Sequence, residues 1–182
     1  LSGIGAGVRV WAANDNFYEN EGTIIINGGN IRARGQYGSS AIGGSHQDRN
    51  VSSDGDTPGN LRQGGSITIN GGIVCTELRT SGGAHTADSF GIGTCYGNGG
   101  SVTINGGTVK ASSEGDGFGI GGAGVHHTAE MHITINGGTI ETTANRNNAA
   151  IGDKSKQKSS VTITGGVIHA VGKGSAAGIG ST

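Results

Sequence analysis

The sequence predicts an all-β protein: a right-handed parallel β-helix, that is, a single-stranded β-solenoid of about five coils. Three observations predict it. A motif of alternating apolar and polar residues ending in Gly-Gly recurs five times, a second motif, Ala/Gly-Ile-Gly, follows each copy, and the two motifs are 15 residues apart in four of the five coils. The shortest complete period is 28 residues, and self-similarity at a period of about 20–50 residues is typical of solenoids.

The first motif is predicted to be a strand that ends in a tight corner. In residues 101–107, Val102 and Ile104 alternate with polar residues, so the apolar side chains face one side of the strand. The residue before Gly-Gly is Asn in four copies, at positions 27, 70, 105 and 136. We expect this Asn to tolerate a left-handed turn and to stack on its counterparts as an amide ladder.

Two further strands complete each coil. After Gly-Gly, Val109 and Ala111 are predicted to face inward and Lys110 outward; in the next segment Phe118 and Ile120 are predicted to face inward. The central isoleucines of the second motif are Ile42, Ile92, Ile120, Ile151 and Ile179, with Ile4 as a sixth copy. Coils that stack about 4.8 Å apart place like residues on like. A string of hairpins with Asn-Gly turns is the competing hypothesis, but it does not explain the fixed 15-residue offset.

Composition excludes several other classes of protein. A single proline beside 40 glycines excludes collagen, and 19 Ile against 3 Leu argues against helices. The formal net charge of −1 gives no general attraction to nucleic acid, and no nucleic-acid motif is present. No apolar run reaches the roughly 18 residues that membrane insertion needs. Cys75 and Cys95 are predicted on different faces, without a disulfide.

The repeat resembles a known group of sequences. Val-Thr-Ile-Asn-Gly-Gly-Thr-Val-Lys-Ala at 102–111, followed by Gly-Ile-Gly-Gly at 119–122, looks like the Gly-rich right-handed parallel β-helix repeats of bacterial, Firmicutes-type, cell-surface and secreted proteins. Residues 113–117 are similar to a stretch of a polysaccharide-binding β-helix family. The resemblance covers nearly the whole chain. It implies an extracellular or cell-surface location and a polysaccharide or host-surface glycan as partner.

Departures from the period mark the candidate functional loops. We expect residues 1–182 to form one β-helix domain, a fragment of a longer protein whose further coils or domains contact it. The predicted insertions are residues 6–22, 44–65, 79–87 and 122–131. Loops on a rigid scaffold commonly carry function. In the first insertion, Trp11 and Tyr18 are a candidate sugar-stacking platform. In the second insertion, Asp54 and Asp56 are candidate ligand-binding residues. The alternative for the first loop is that it covers the end of the helix.

A second candidate site lies four residues before the central Ile of the second motif. Asp88, Asp116 and Asn147 occupy that place in successive coils, and Glu114 lies two residues before Asp116. Stacked carboxylates repel one another unless they share a proton or a cation, so Asp88, Asp116 and Glu114 are candidate Ca²⁺ ligands. They are also the candidate acid and base if the chain cleaves glycosidic bonds. The alternative is that the aspartates cap local turns.

Three outward patterns support weaker hypotheses. The Ser and Thr columns of the first strand resemble the hydroxyl rows with which some β-helices bind ice, although Ile25 and His132 interrupt them. Lys110, Glu141 and His169 are predicted to form a cross-coil charge ladder and, secondarily, a strip that contacts polyanions. A further set of residues matches no zinc-site spacing; it comprises His126, His127, Glu130 and His132.

Taken together, these features predict an extracellular carbohydrate-binding or adhesive β-helix module, with Ca²⁺ as the candidate cofactor. The alternatives are a polysaccharide-degrading enzyme (a glycoside hydrolase or lyase) or part of one, a passive structural stalk, and an ice-binding protein.

Overall fold

The structure is a computed structural model. It describes residues 4, 22–36, 39–44, 65–79, 89–95, 100–113, 115, 117–123, 130–153 and 159–181. Within these residues the regular structure is β-strand throughout. None of them belongs to a helix with the length and apolar character needed to cross a membrane.

The described residues contain fifteen strands, three in each of five coils. The first coil has β1 (Thr23–Ile26), β2 (Asn30–Gln36) and β3 (Ser40–Gly43), and the second has β4 (Ser66–Ile69), β5 (Ile73–Arg79) and β6 (Phe90–Cys95). The third coil has β7 (Gly100–Ile104), β8 (Thr108–Ser112) and β9 (Ile120–Ala123), and the fourth has β10 (Met131–Ile135), β11 (Thr139–Thr143) and β12 (Ile151–Asp153). The fifth has β13 (Ser160–Ile163), β14 (Val167–Val171) and β15 (Ile179–Ser181).

Each strand pairs in parallel with the equivalent strand of the next coil. In the described chain this gives three five-stranded sheets: the first sheet (β1-β4-β7-β10-β13), the second sheet (β2-β5-β8-β11-β14) and the third sheet (β3-β6-β9-β12-β15). The register sets Ile69 beside Ile104, and Ile104 beside Ile135. The predicted right-handed parallel β-helix is therefore confirmed. The hairpin hypothesis is wrong, because β1 pairs with β4 and not with β2.

Three corners connect the sheets. The first corner joins the first sheet to the second and consists of residues 27–29, 70–72, 105–107, 136–138 and 164–166. The second corner joins the second sheet to the third; its described residues include 113, 115 and 117–119 in the third coil, 144–150 in the fourth and 172–178 in the fifth. The third corner leads to the next coil. Cys75 and Cys95 lie on strands of different sheets, as predicted, and Cys75 is a free thiol.

Apolar side chains of all three sheets fill the centre of the coil. Ile104, Val109 and Ile120 are fully buried in one continuous cluster, as the alternation predicts. Ile4 makes a parallel bridge to Ile42, so it is a sixth copy of the second motif. Phe118 is buried too, but it lies outside the central cluster, in the second corner before β9. There it packs with Ala149 and stacks on Phe90, the ring centroids 6.2 Å apart.

The second glycine of each Gly-Gly pair determines the geometry of the first corner. Gly107 has a φ of 87°, and a Cβ added to it would lie 2.5 Å from the carbonyl oxygen of Gly72 in the preceding coil. The prediction that the Asn before Gly-Gly takes the left-handed turn is wrong. Among the described residues, Arg146 is the one non-glycine residue with positive φ. The corner needs a residue without a Cβ where two coils touch, and the second glycine provides it.

Candidate functional site

The structure describes one of the predicted ligand-binding residues, Asn147. Asp88, Asp116, Glu114, Trp11, Tyr18, Asp54 and Asp56 lie outside the described residues, as do His126 and His127. The structure describes much of the second corner in the third, fourth and fifth coils.

Asn147 lies exposed in the second corner of the fourth coil and contacts the fifth coil. Its Oδ1 accepts hydrogen bonds from the backbone N (3.5 Å) and the Oγ (3.4 Å) of Ser175. Ser175 lies four residues before Ile179, just as Asn147 lies four before Ile151. The side chain of Asn147 thus joins successive coils at the position that Asp116 occupies in the sequence of the coil before.

A second set of contacts joins the corner six residues before the central Ile. The Nζ of Lys173 donates to Oδ1 of Asn145 (2.8 Å), and the backbone N of Asn145 donates to Oγ of Ser113 (3.2 Å). Ser113 directly precedes Glu114 in the sequence. Hydrogen bonds between adjacent coils therefore stabilise the second corner. The side chains that make them differ from coil to coil, and each bonds to a residue of a different type.

The residue between these two positions has left-handed backbone geometry. Gly115, Arg146 and Gly174 occupy it in successive coils, with φ values of 65°, 63° and 73°. A Cβ on Gly174 would lie 2.4 Å from Oδ1 of Asn147, so the contact between the coils favours glycine there. Sequence analysis missed this position; the signal was the alignment of two glycines five residues before the central Ile.

A groove of about 260 Å³ lies on the outer face of the second sheet and ends beside the second corner. We call it the second-sheet groove. Its outward side chains belong to Lys110, Ser112, Glu141, Thr143 and His169, and buried Thr76, Ala111 and Thr142 complete the lining. The lining comes from β5, β8, β11 and β14, so the groove runs across coils. Ser112 and Thr143 are the last residues of their strands, directly before the second corner.

The charges in the groove are paired. Lys110 Nζ lies 2.8 Å from Oε2 of Glu141, and both side chains are about half exposed. The hydrogen bond from Lys110 to Glu141, followed by the attraction of the two charges, raises the pKa of Lys110. His169 is the register partner of Glu141 in the next coil. The predicted charge ladder is confirmed for Lys110 and Glu141.

A second ion-pair group lies on the same face toward the first coil. Glu77 contacts Nε of Arg34 at 2.5 Å and Nε of Arg32 at 3.4 Å. The outer face of the second sheet therefore presents charges of both signs along its length. Surface pairs of this kind contribute little to stability, about 0–1 kcal/mol each.

The first corner has a different chemistry. Nδ2 of Asn70 donates to Oδ1 of Asn27 (2.7 Å), Asn105 donates in the same way to Asn70 (2.7 Å), and Asn136 to Asn105 (2.8 Å). Thr164 extends the chain by donating its Oγ1 proton to Asn136 (2.8 Å). The predicted amide ladder is confirmed, and its side chains bond mainly to one another.

The remaining candidate patterns lie on the first sheet. His132 faces outward, as predicted; its Nε2 lies 3.4 Å from Glu130 and its Nδ1 2.9 Å from Oγ of Ser160. In the described residues no three His, Cys, Asp or Glu side chains are close enough together to hold a metal ion. In the hydroxyl columns Oγ of Ser66 donates to Thr23 (3.1 Å), while Ile25 interrupts them with an exposed apolar side chain.

A family model described as a β-helix repeat matches four stretches of the chain, residues 24–46, 102–124, 133–153 and 161–182. The chain is a β-helix repeat protein. Each matched stretch of this β-helix repeat protein runs from a first-sheet strand to the third-sheet strand of the same coil. The second coil lies outside the matches, and it is the coil with seven extra residues between its two motifs. No curated protein and no solved structure matches the chain.

Proposed function

We propose that this β-helix repeat protein is an extracellular carbohydrate-binding or adhesive module of a bacterial cell-surface or secreted protein. The ligand lies in the second-sheet groove and reaches the second corner. One observation carries the proposal: the groove gathers half-exposed donors and acceptors from successive coils on rigid strands.

The chemistry of the groove fits sugar hydroxyl groups. A sugar hydroxyl both donates and accepts, and the groove offers an ammonium donor (Lys110), a carboxylate acceptor (Glu141) and two hydroxyls (Ser112 and Thr143). Because Lys110 and Glu141 neutralise each other, the groove does not demand a strongly charged ligand. Because Lys110 and Glu141 already hold each other in an ion pair, they lose less freedom on binding than unpaired side chains would, which favours affinity.

The orientation of the groove favours a chain over a single sugar. Coils repeat about every 4.8 Å along the axis, so equivalent side chains recur at a short, regular spacing. An extended polysaccharide that lies along the solenoid axis contacts Lys110, Glu141 and His169 in turn. Asp116 and Asp88, placed in the second corner by the sequence, would extend this contact or hold Ca²⁺ beside it.

Binding fits the described residues better than cleavage does. Glycosidic hydrolysis commonly uses two carboxylates on opposite sides of the bond. In the part of the groove that the structure describes, Glu141 is the one carboxylate, and it is paired with Lys110. A catalytic pair would have to include Asp88, Asp116 or Glu114.

The test is a glycan array of the full chain, run in Ca²⁺ and in a Ca²⁺ chelator, followed by calorimetric titration of the polysaccharide selected. We expect Lys110→Met and Glu141→Gln each to weaken binding at least tenfold. His132→Ala, on the exposed face of the first sheet, is the matched control and should bind like the parent chain. If no glycan binds in either condition, or if neither groove variant weakens binding, the proposal is wrong.

Three outcomes separate the other functions. Release of reducing or unsaturated sugar ends, abolished by Asp116→Asn, would replace the binding module with an enzyme. Thermal hysteresis of the full chain, abolished by Thr103→Lys, would replace it with an ice-binding protein. A chain that passes none of these tests is a structural stalk.

A further inference from the structure

The first corner contains an Asn-Gly dipeptide in four coils, at residues 27–28, 70–71, 105–106 and 136–137. Asn-Gly is especially prone to deamidation in an unfolded chain, because glycine has no side chain to shield its backbone nitrogen. That nitrogen attacks Cγ of the asparagine, the Cγ–Nδ2 bond breaks, and ammonia leaves with the proton of the attacking nitrogen. Water then opens the resulting succinimide ring to aspartate or isoaspartate. The same latent modification site therefore recurs along the first corner.

The backbone of the corner leaves the attacking group free. In the third coil this group is the N–H of Gly106, and it donates no hydrogen bond to any residue that the structure describes. The same holds for Gly71 in the second coil and Gly137 in the fourth. All three glycines are partly exposed, and the asparagines before them are exposed, so water reaches the site. The position of the asparagine side chain is therefore what limits the reaction.

The amide ladder restrains these side chains from both sides. Asn105 donates from Nδ2 to Oδ1 of Asn70 (2.7 Å) and accepts at Oδ1 from Nδ2 of Asn136 (2.8 Å). Asn136 in turn accepts from Oγ1 of Thr164 (2.8 Å). Attack draws Cγ toward the glycine nitrogen and makes that carbon tetrahedral, so Oδ1 and Nδ2 leave the positions in which they bond to the neighbouring coils. In the folded chain the reaction therefore has to break ladder hydrogen bonds, which slows it.

We propose that the amide ladder keeps Asn70, Asn105 and Asn136 from deamidating in the folded chain, and that a break in the ladder turns an adjacent asparagine into a deamidation site. The coupling has a direction, because all three side chains donate toward the first coil. A carboxylate accepts hydrogen bonds but has none to donate. Deamidation of Asn105 therefore removes the donor to Asn70 and sets two acceptor oxygens against each other, whereas Asn136 keeps its acceptor. The modification spreads toward the first coil.

Peptide mapping by mass spectrometry measures deamidation at each asparagine separately. The full chain is incubated at mildly alkaline pH, once in buffer and once unfolded in urea. We expect Asn70, Asn105 and Asn136 each to deamidate roughly tenfold or more slowly in the folded chain, since each has two ladder bonds to break. Equal rates in the two conditions would overturn the proposal.

A single hydroxyl group separates the ladder from general rigidity of the fold. Thr164→Val removes the donor to Asn136 and keeps the shape of the side chain, so Asn136 should deamidate about fivefold faster while Asn70 is unchanged. Thr162→Val is the matched control, since Thr162 is exposed in the same coil but lies outside the ladder, and it should behave like the parent chain. Circular dichroism confirms that both variants keep the fold. An unchanged rate at Asn136 would overturn the proposal, as would equal acceleration at every asparagine, which would mean reaction through global unfolding.

The direction of the coupling has its own test. Asn105→Asp reproduces the deamidated product, and it should speed deamidation of Asn70 about fivefold without speeding that of Asn136. Asn105→Thr is the matched control, because threonine donates a hydroxyl proton to the ladder in the way that Thr164 already does, so Asn70 should stay as slow as in the parent chain. Greater acceleration at Asn136 than at Asn70 in Asn105→Asp, or equal acceleration of Asn70 in both variants, would contradict the proposed direction.

Discussion

The first and second corners of this solenoid solve the same problem, turning the chain between two sheets, in different ways. The first corner has three residues in every coil and ends in Gly-Gly each time. The second corner belongs to a segment that is seven residues longer in the second coil than in the others. Because the first corners stack on one another, nearly the same residues are required in every coil. The second corner varies in sequence from coil to coil, so a ligand site can vary there.

Side-chain contacts show the same division. At the first corner amides bond to amides, from Asn27 to Asn136. At the second corner Asn145 bonds to Lys173, and Asn147 to Ser175. The second corner even accepts Arg146 at a positive φ that glycine holds in the next coil. The difference teaches that side chains which are identical at equivalent positions of successive coils specify the scaffold. Positions where these side chains differ mark the surface where a ligand site can form.

The largest expected effect comes from glycine at the first corner. Gly107→Ala combines a left-handed φ with a Cβ 2.5 Å from a backbone oxygen, so it should lower the free energy of unfolding by about 3 kcal/mol or more. Gly174→Ala at the second corner meets a side-chain atom instead and should cost about 1–2 kcal/mol. Urea unfolding followed by circular dichroism measures both. Equal losses would remove the distinction between the corners.

The amide ladder gives the next effect. Asn105→Ala removes a donor to Asn70 and an acceptor for Asn136, which should cost about 1–2 kcal/mol. Asn147→Ala, at the second corner, removes longer contacts of 3.4–3.5 Å and should cost less than about 0.5 kcal/mol. Thermal unfolding of the two variants compares them. A greater loss from Asn147→Ala would contradict the account of the ladder.

Arg146 provides a smaller test of opposite sign. A non-glycine residue in the left-handed region costs about 1–2 kcal/mol, and part of this is recovered when glycine replaces it. Arg146→Gly should therefore stabilise the chain by about 0.5–1 kcal/mol, measured as a higher urea midpoint. A loss of stability would mean that the Arg146 side chain contributes more than its backbone geometry costs.

The smallest effect concerns the pKa of Lys110. Glu141 raises this pKa through a hydrogen bond and opposite charge, so the pair stabilises the folded state fully below the ordinary lysine pKa. That contribution disappears as the pH rises through the higher folded-state pKa. Glu141→Gln should lower the pKa of Lys110, as followed by NMR titration of its side chain. An unchanged pKa would contradict the ion pair.

The spacing of the two repeated motifs was enough to predict the architecture. The 15-residue offset required a third sheet, and Ile26, Ile69, Ile104 and Ile135 stack as the repeat indicates. The sequence could not decide which corner residue takes positive φ, because Asn and Gly both tolerate it; contact with the next coil decides for glycine. Nor could it separate Phe118 from the central core, since alternation predicts that a side chain is buried but not which cluster of buried residues it joins.

The candidate site was less predictable. Lys110, Glu141 and His169 form an outward column by counting alone, but the groove between them depends on side-chain conformations in adjacent coils. Arg is not a residue whose presence signals left-handed backbone, so Arg146 could be recognised only by alignment with Gly115 and Gly174. The carboxylates predicted at the second corner, Asp88 and Asp116, remain a prediction.

The most direct measurement of the central claim is an NMR titration of backbone amides with the polysaccharide selected on the array. The account predicts shifts in β8, β11 and β14 and in the second corner around Asn145 and Asn147, with the amides of the first corner unchanged. Shifts centred on the first corner or on the outer face of the first sheet, or none at saturating ligand, would contradict it.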